Sequence, residues 1–96
     1  MRQIIKLQNK HIKKGIPGAI NYCPVAWAVA EQVLISNIRL VWVNKAGIDV
    51  DYYLYREGKY SRKFVTPRSV IRFMSSFDKG KPVKPFSFKL REKNGR

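Results

Sequence analysis

The stretch that decides the fold runs from Ile38 to Val65: Ile38-Arg39-Leu40-Val41-Trp42-Val43, Asn44-Lys45-Ala46-Gly47, Ile48-Asp49-Val50-Asp51-Tyr52-Tyr53-Leu54-Tyr55, Arg56-Glu57-Gly58, Lys59-Tyr60-Ser61-Arg62-Lys63-Phe64-Val65. It holds three runs rich in β-branched and aromatic residues, separated by two short turn signals, and runs joined so closely pair antiparallel. In the first, Ile38, Leu40 and Trp42 fall on one face at period two. Asn44 to Gly47 reads as a hairpin loop in which Gly47 supplies a positive φ. In the second, Ile48, Val50, Tyr52 and Leu54 point one way and Asp49, Asp51, Tyr53 and Tyr55 the other. Glu57-Gly58 turns the chain into the third run, and the three form a meander.

Upstream of the meander, Gln3-Ile4-Ile5-Lys6-Leu7 reads as a strand. Gln8 to Lys14 allows one or two helical turns that Gly15 would close as a C-cap. Gly15-Ile16-Pro17-Gly18 is a loop. Pro24 suits a first helical position, with Asn21 or Cys23 at or near the cap. From Val25 to Leu34 the residues are apolar on nearly all sides, so this helix is expected to be buried around most of its circumference.

Downstream, Thr66-Pro67 reads as a hydroxyl N-cap with proline at the first helical position. Val70, Phe73, Met74 and Phe77 then form an amphipathic stripe, and Gly80 ends the helix. Phe86, Phe88 and Leu90 alternate with Ser87, Lys89 and Arg91 as a half-buried strand, and residues 92–96 are expected to fray. The order β-α-βββ-α-β predicts an α+β fold. A single domain over residues 1–96 would hold a mostly antiparallel sheet with two helices on one face.

Composition narrows the function. The 96 residues carry 20 Lys and Arg against 6 Asp and Glu, a formal net charge of +14. The longest apolar run, Val25 to Ala30, is far short of the ~20 residues that cross a membrane. The first residues lack the apolar stretch of a secretory signal. The single cysteine, Cys23, excludes an internal disulfide and a multi-cysteine zinc site, and fits a reducing cytoplasm. Neither a metal nor a cofactor is expected.

The basic residues are segregated from the acids. Residues 1–30 hold Arg2, Lys6, Lys10, Lys13 and Lys14 with no acid, and the segments 58–77 and 79–91 are likewise free of acid. So concentrated a charge is self-repulsive, and phosphates or an acidic protein would relieve it. The candidate nucleic-acid-binding residues are Lys10, Lys13, Lys14, Lys59, Arg62, Lys63, Arg68, Arg72, Lys89 and Arg91. Tyr53, Tyr55 and Tyr60 are added as rings on which bases could stack. Arg62 and Lys63, replaced together by Glu, should abolish binding of random-sequence DNA or RNA at low salt. With ~4–6 phosphates contacted, log K should fall with log salt at a slope of roughly −4 to −5. An alternative of another class is a module that docks on the acidic surface of a host enzyme or a virion component. The bland reading is solubility, with tyrosines shielding a sheet edge.

His11-Ile12 followed by Gly15, Cys23-Pro24-Val25-Ala26 opening a helix, Phe77-Asp78-Lys79-Gly80, and Pro82-Val83-Lys84-Pro85-Phe86-Ser87-Phe88 stand in this order in the chain. Together they resemble a group of small proteins of unassigned activity encoded by bacteriophages and prophages. The resemblance covers about a third of the residues and implies a viral accessory protein in the host cytoplasm. It says nothing of mechanism.

Enzymatic chemistry has thin support. At a helix start Cys23 would have a lowered pKa, and His11 is the one histidine available as a base. A buried structural thiol is the commoner outcome for such a residue. Asp49 and Asp51, two apart on one strand face, could hold a cation, but a solvated pair neutralising Lys45, Lys59 or Arg62 is the simpler reading. The chain has no phosphate-cradling glycine loop and no serine elbow. It is therefore not expected to be an enzyme, with Cys23-dependent activity as the weak alternative.

Overall fold

A computed structural model describes residues 2–93. The elements are β1 (Arg2–Leu7), α1 (Asn9–Lys14), α2 (Pro24–Gln32), β2 (Ile38–Asn44), β3 (Gly47–Leu54), β4 (Gly58–Phe64), α3 (Arg68–Asp78) and β5 (Phe86–Arg91). The fold is α+β, as the sequence pattern requires. In place of one sheet there are two, a β2-β3-β4 meander and a β1-β5 ribbon, all antiparallel. The expected pair of helices is accompanied by the short α1.

The two sheets meet at one corner. Phe64 bridges Glu92, the Val65 N–H donates to the Arg91 carbonyl at 2.9 Å, and the Lys93 N–H donates to the Lys63 carbonyl at 2.9 Å. The expected fraying therefore does not begin at Glu92 or Lys93, and residues 94–96 lie outside the described residues. The core fills the space between the sheets with Ile5 and Leu7 of β1, Phe88 and Leu90 of β5, Val41, Val43, Ile48, Val50 and Phe64 of the meander, and Val70 of α3. The edge of β1 is covered by α2: Gln32 accepts from the Lys6 N–H and donates to the Lys6 carbonyl, as a neighbouring strand would.

A bulge changes the faces of β2. Ile38 pairs with Tyr52 but Leu40 with Asp51, so Arg39 is an extra residue with no partner of its own. The bulge breaks the period-two register, and Ile38 and Leu40 do not share a face. Val41 and Val43 are the buried residues, opposite Val50 and Ile48, while Leu40 and Trp42 lie on the outer side with Asp51 and Asp49. The expected Ile38-Leu40-Trp42 face is thus corrected.

Two glycines and a threonine act differently from the sequence expectation. Gly15 is extended (φ −71°, ψ 149°), and a Cβ there would lie 2.3 Å from the Pro24 ring, so close approach rather than a left-handed cap requires glycine. Gly47 lacks a positive φ. The turn is held by Asn44 Oδ1, which accepts from the Ala46 and Gly47 N–H groups at 2.9 and 3.1 Å. Thr66 does not cap α3, whose N-cap is Pro67; its buried hydroxyl donates to the Asn44 carbonyl at 2.6 Å. At the other end of α3 the expectation holds. Gly80 (φ 74°) donates to Phe77, and Lys81 donates to Ser76, closing the last turn.

α2 is less enclosed than its apolar sequence implies. Pro24, Val25, Ala26, Ala28 and Val29 are buried, but Ala30 and Glu31 are exposed, and the helix ends at Gln32 with Leu34 outside it. Small alanines let the helix approach β1 and β2 without needing burial all round.

Candidate nucleic-acid interface

The acids determine which cations remain available. Arg62 donates to both carboxylate oxygens of Glu92, one bond at 3.0 Å, and Lys63 reaches Asp49 at 3.1 Å. Lys10 lies 3.0 Å from Glu31, which also accepts from His11 at 3.1 Å. The paired cations hold the Glu31 and Glu92 carboxyls below the usual carboxylate range, through the Lys10 and Arg62 hydrogen bonds respectively. Asp78 accepts from the Gly18 N–H at 2.8 Å, and Asp51 from the Trp42 indole at 3.4 Å. Among the described residues only Glu57, on the exposed β3-β4 turn, has no such partner.

Three of the sequence candidates, Lys10, Arg62 and Lys63, are therefore committed to internal ion pairs. Charge reversal at Arg62 and Lys63 would also break the corner between the sheets and the β3-β4 pairing, so a loss of binding in that variant would not report on phosphate contacts alone. Lys14 lies over the Trp27 ring, 4.8 Å from its centroid, beside α1 and α2. Lys13 is exposed on α1.

The remaining candidates gather in two places. The first is the outer face of the β1-β5 ribbon. Antiparallel register sets Arg2 opposite Arg91, Ile4 opposite Lys89 and Lys6 opposite Ser87. All six side chains point away from the core because Ile5, Leu7, Phe88 and Leu90 take the inner positions. Four cations and no acid share this face, and like charges directly opposite each other are unfavourable. Beside it, Arg2, Lys89 and Arg91 line an open groove of about 490 Å³ whose other wall includes Pro67 and Ser69 at the start of α3. The first N–H groups of a helix have no intrahelical acceptor and carry partial positive charge. From there Arg68, Arg72, Ser75 and Lys79 follow at i, i+4, i+7 and i+11 as an exposed stripe along α3. The stripe forms because Val70, Phe73, Met74 and Phe77 take the opposite side, with Phe73 packed 5.2 Å from Phe86 of β5.

The second place is the distal end of the β3-β4 hairpin. Burial falls away along both strands, so the hairpin projects beyond the core. Tyr53, Tyr55 and Tyr60 are 44%, 84% and 41% exposed. They do not share a face. Tyr53 pairs with Lys59 on the outer side, Tyr60 stacks on Tyr52 on the other with centroids 6.1 Å apart, and Tyr55 sits on the turn. Sequence reasoning missed Arg39 and Arg56. The bulge aims Arg39 at Tyr53, with its guanidinium 5.5 Å from the ring centroid and hydrogen-bonded to the hydroxyl. Arg56, in the left-handed region at φ 69°, lies 5.2 Å from the Tyr55 centroid. Arg56 adjoins Tyr55 in the sequence, which was a usable signal; Arg39 depends on a bulge that alternation does not reveal.

Cys23 takes its favoured reading, a buried thiol, rather than the activated one. It is the N-cap of α2 but only 2% exposed, and burial pushes its thiol pKa up rather than down. The His11 nitrogens serve other groups: Nδ1 accepts from the Gln8 N–H at 2.9 Å, which leaves Nε2 to donate to Glu31. Asp49 and Asp51 are occupied as described, and no cluster of three metal-ligating side chains occurs among the described residues. No helix among them is long and apolar enough to cross a membrane. Compared with known proteins, the chain matches no protein family, no curated protein and no solved structure, and the phage resemblance rests on its quoted motifs alone.

Proposed function

We propose that the protein binds nucleic acid without strong sequence preference, its phosphates lying on the β1-β5 ribbon and the adjoining start of α3. The observation that carries this reading is the placement of Arg2 directly across from Arg91, beside Lys89 and Lys6, on a face with no acid. A ribbon without acids of its own, in a chain whose acids are mostly paired elsewhere, is stabilised by an external anion. Its extended row of charges suits a polymer better than a single small anion. A viral accessory role in the host cell agrees with the motif resemblance.

The test is anisotropy titration of a random-sequence oligonucleotide at low salt. Lys89→Glu combined with Arg91→Glu should weaken binding by at least about a hundredfold, since four units of charge change on the contact face. Lys10→Gln combined with Lys63→Gln should change it by less than about threefold, because these lysines already face Glu31 and Asp49. Equal losses from both pairs, or unchanged binding in the first, would reject the ribbon as the interface.

A further inference from the structure

The projecting end of the β3-β4 hairpin carries more aromatic surface than a solvated turn has reason to expose. Tyr53, Leu54, Tyr55 and Tyr60 lie together there, and the turn itself is the most exposed, with Tyr55 at 84%. Two of these rings hold an arginine guanidinium within 5.5 Å of their centroids, one from the β2 bulge and one from the turn. Lys59 stands directly across from Tyr53 on the same side. Each unit thus joins an apolar plane to a cation beside it.

We infer that this hairpin end binds unpaired bases, so that the protein prefers single-stranded over double-stranded nucleic acid. The inference rests on the polyanion reading above and names its substrate class. A tyrosine face accepts a base only when that base is unstacked from its neighbours, which a single strand offers and an intact duplex does not. The arginine or lysine beside each ring is placed to take the phosphate that accompanies the base. An acidic protein surface would satisfy the cations but leave the ring faces against polar groups, so it fits this end less well. The hairpin end and the ribbon groove lie at opposite ends of β4. The Gly58–Phe64 strand rises about 3.3 Å per residue, which separates the two by about 20 Å. One strand could therefore be held by phosphates at one end and by bases at the other.

The experiment compares a short oligothymidylate, a hairpin duplex of equal phosphate number and inorganic polyphosphate as ligands for the full chain. The wild type should bind the single strand at least about tenfold more tightly than either other ligand. Tyr55→Ala, at a position too exposed to threaten folding, should lose about 5- to 150-fold on the single strand and leave polyphosphate binding unchanged. Tyr53→Phe should retain binding, whereas a role limited to the Arg39 hydrogen bond would be lost with the hydroxyl. Equal affinity for single strand and duplex, or no effect of Tyr55→Ala on the single strand, overturns the inference while leaving the ribbon reading intact. Failure to bind all three ligands overturns both.

Discussion

At the scale of single residues, the six acids shape this surface as much as the twenty Lys and Arg do. Glu92 holds Arg62 at the corner between the sheets, and Glu31 holds Lys10 and His11 across α1 and α2. Both carboxyls titrate lower in the folded chain than in the unfolded one, so their stabilisation is present above the unfolded value and lost as pH falls through the folded one. Resistance to urea should therefore drop as the pH is lowered below about 5. Glu92→Gln should start from lower stability at neutral pH and show a smaller drop on acidification. A variant whose urea midpoint falls as steeply as the wild type's would remove the Arg62 pair from the account. None of these pairings could be read from the sequence, because the partners lie 20 to 30 positions apart and meet only through the fold. Cys23 is the contrasting case: its place at a helix start and its burial were both legible, because a free cysteine is more often a core residue than a reactive one.

At the scale of elements, periodicity performed well where one face is plainly apolar. β5 buries Phe88 and Leu90, β3 buries Ile48 and Val50, and α3 buries Val70 and Phe73, each in the alternation its residues impose. β2 defeated the same reasoning because a residue inserted at Arg39 shifts every later side chain to the other face. That shift buries the two valines and turns Arg39 toward Tyr53, so one irregularity alters both the core and the candidate site. The ribbon carries its own test. If Arg2 and Arg91 repel across β1 and β5, Arg91→Gln should stabilise the unliganded protein by about a few tenths of a kcal/mol, read as a higher thermal midpoint, while lowering its affinity for an oligonucleotide. Scanning calorimetry in low salt measures the first effect. A lowered midpoint would mean that the arginines are accommodated without an anion, and the main observation for the ribbon would fail.

At the scale of the whole molecule, the described residues form an elongated body of 44 × 26 × 20 Å. The α+β class followed from the meander and its flanking helices. The division into two sheets did not, since only the pairing of β4 with the end of β5 decides where the chain turns a corner. The tyrosines were correctly singled out as exposed, but they occupy opposite sides and the tip of one hairpin rather than one face, and the cations expected to surround them are partly committed elsewhere. What persists from sequence to structure is segregated charge: five of the six acids bonded to specific partners within the chain, and cations in a row without acid on the ribbon and in a stripe along α3.

The most direct measurement is the dependence of oligonucleotide affinity on salt for the wild type and for Lys89→Gln/Arg91→Gln. The wild type should give a slope of log K against log salt of roughly −4 to −5, and the double variant a slope shallower by about two. A double variant with the wild-type slope, or a wild type whose binding hardly responds to salt, would contradict the claim that this ribbon meets a chain of phosphates.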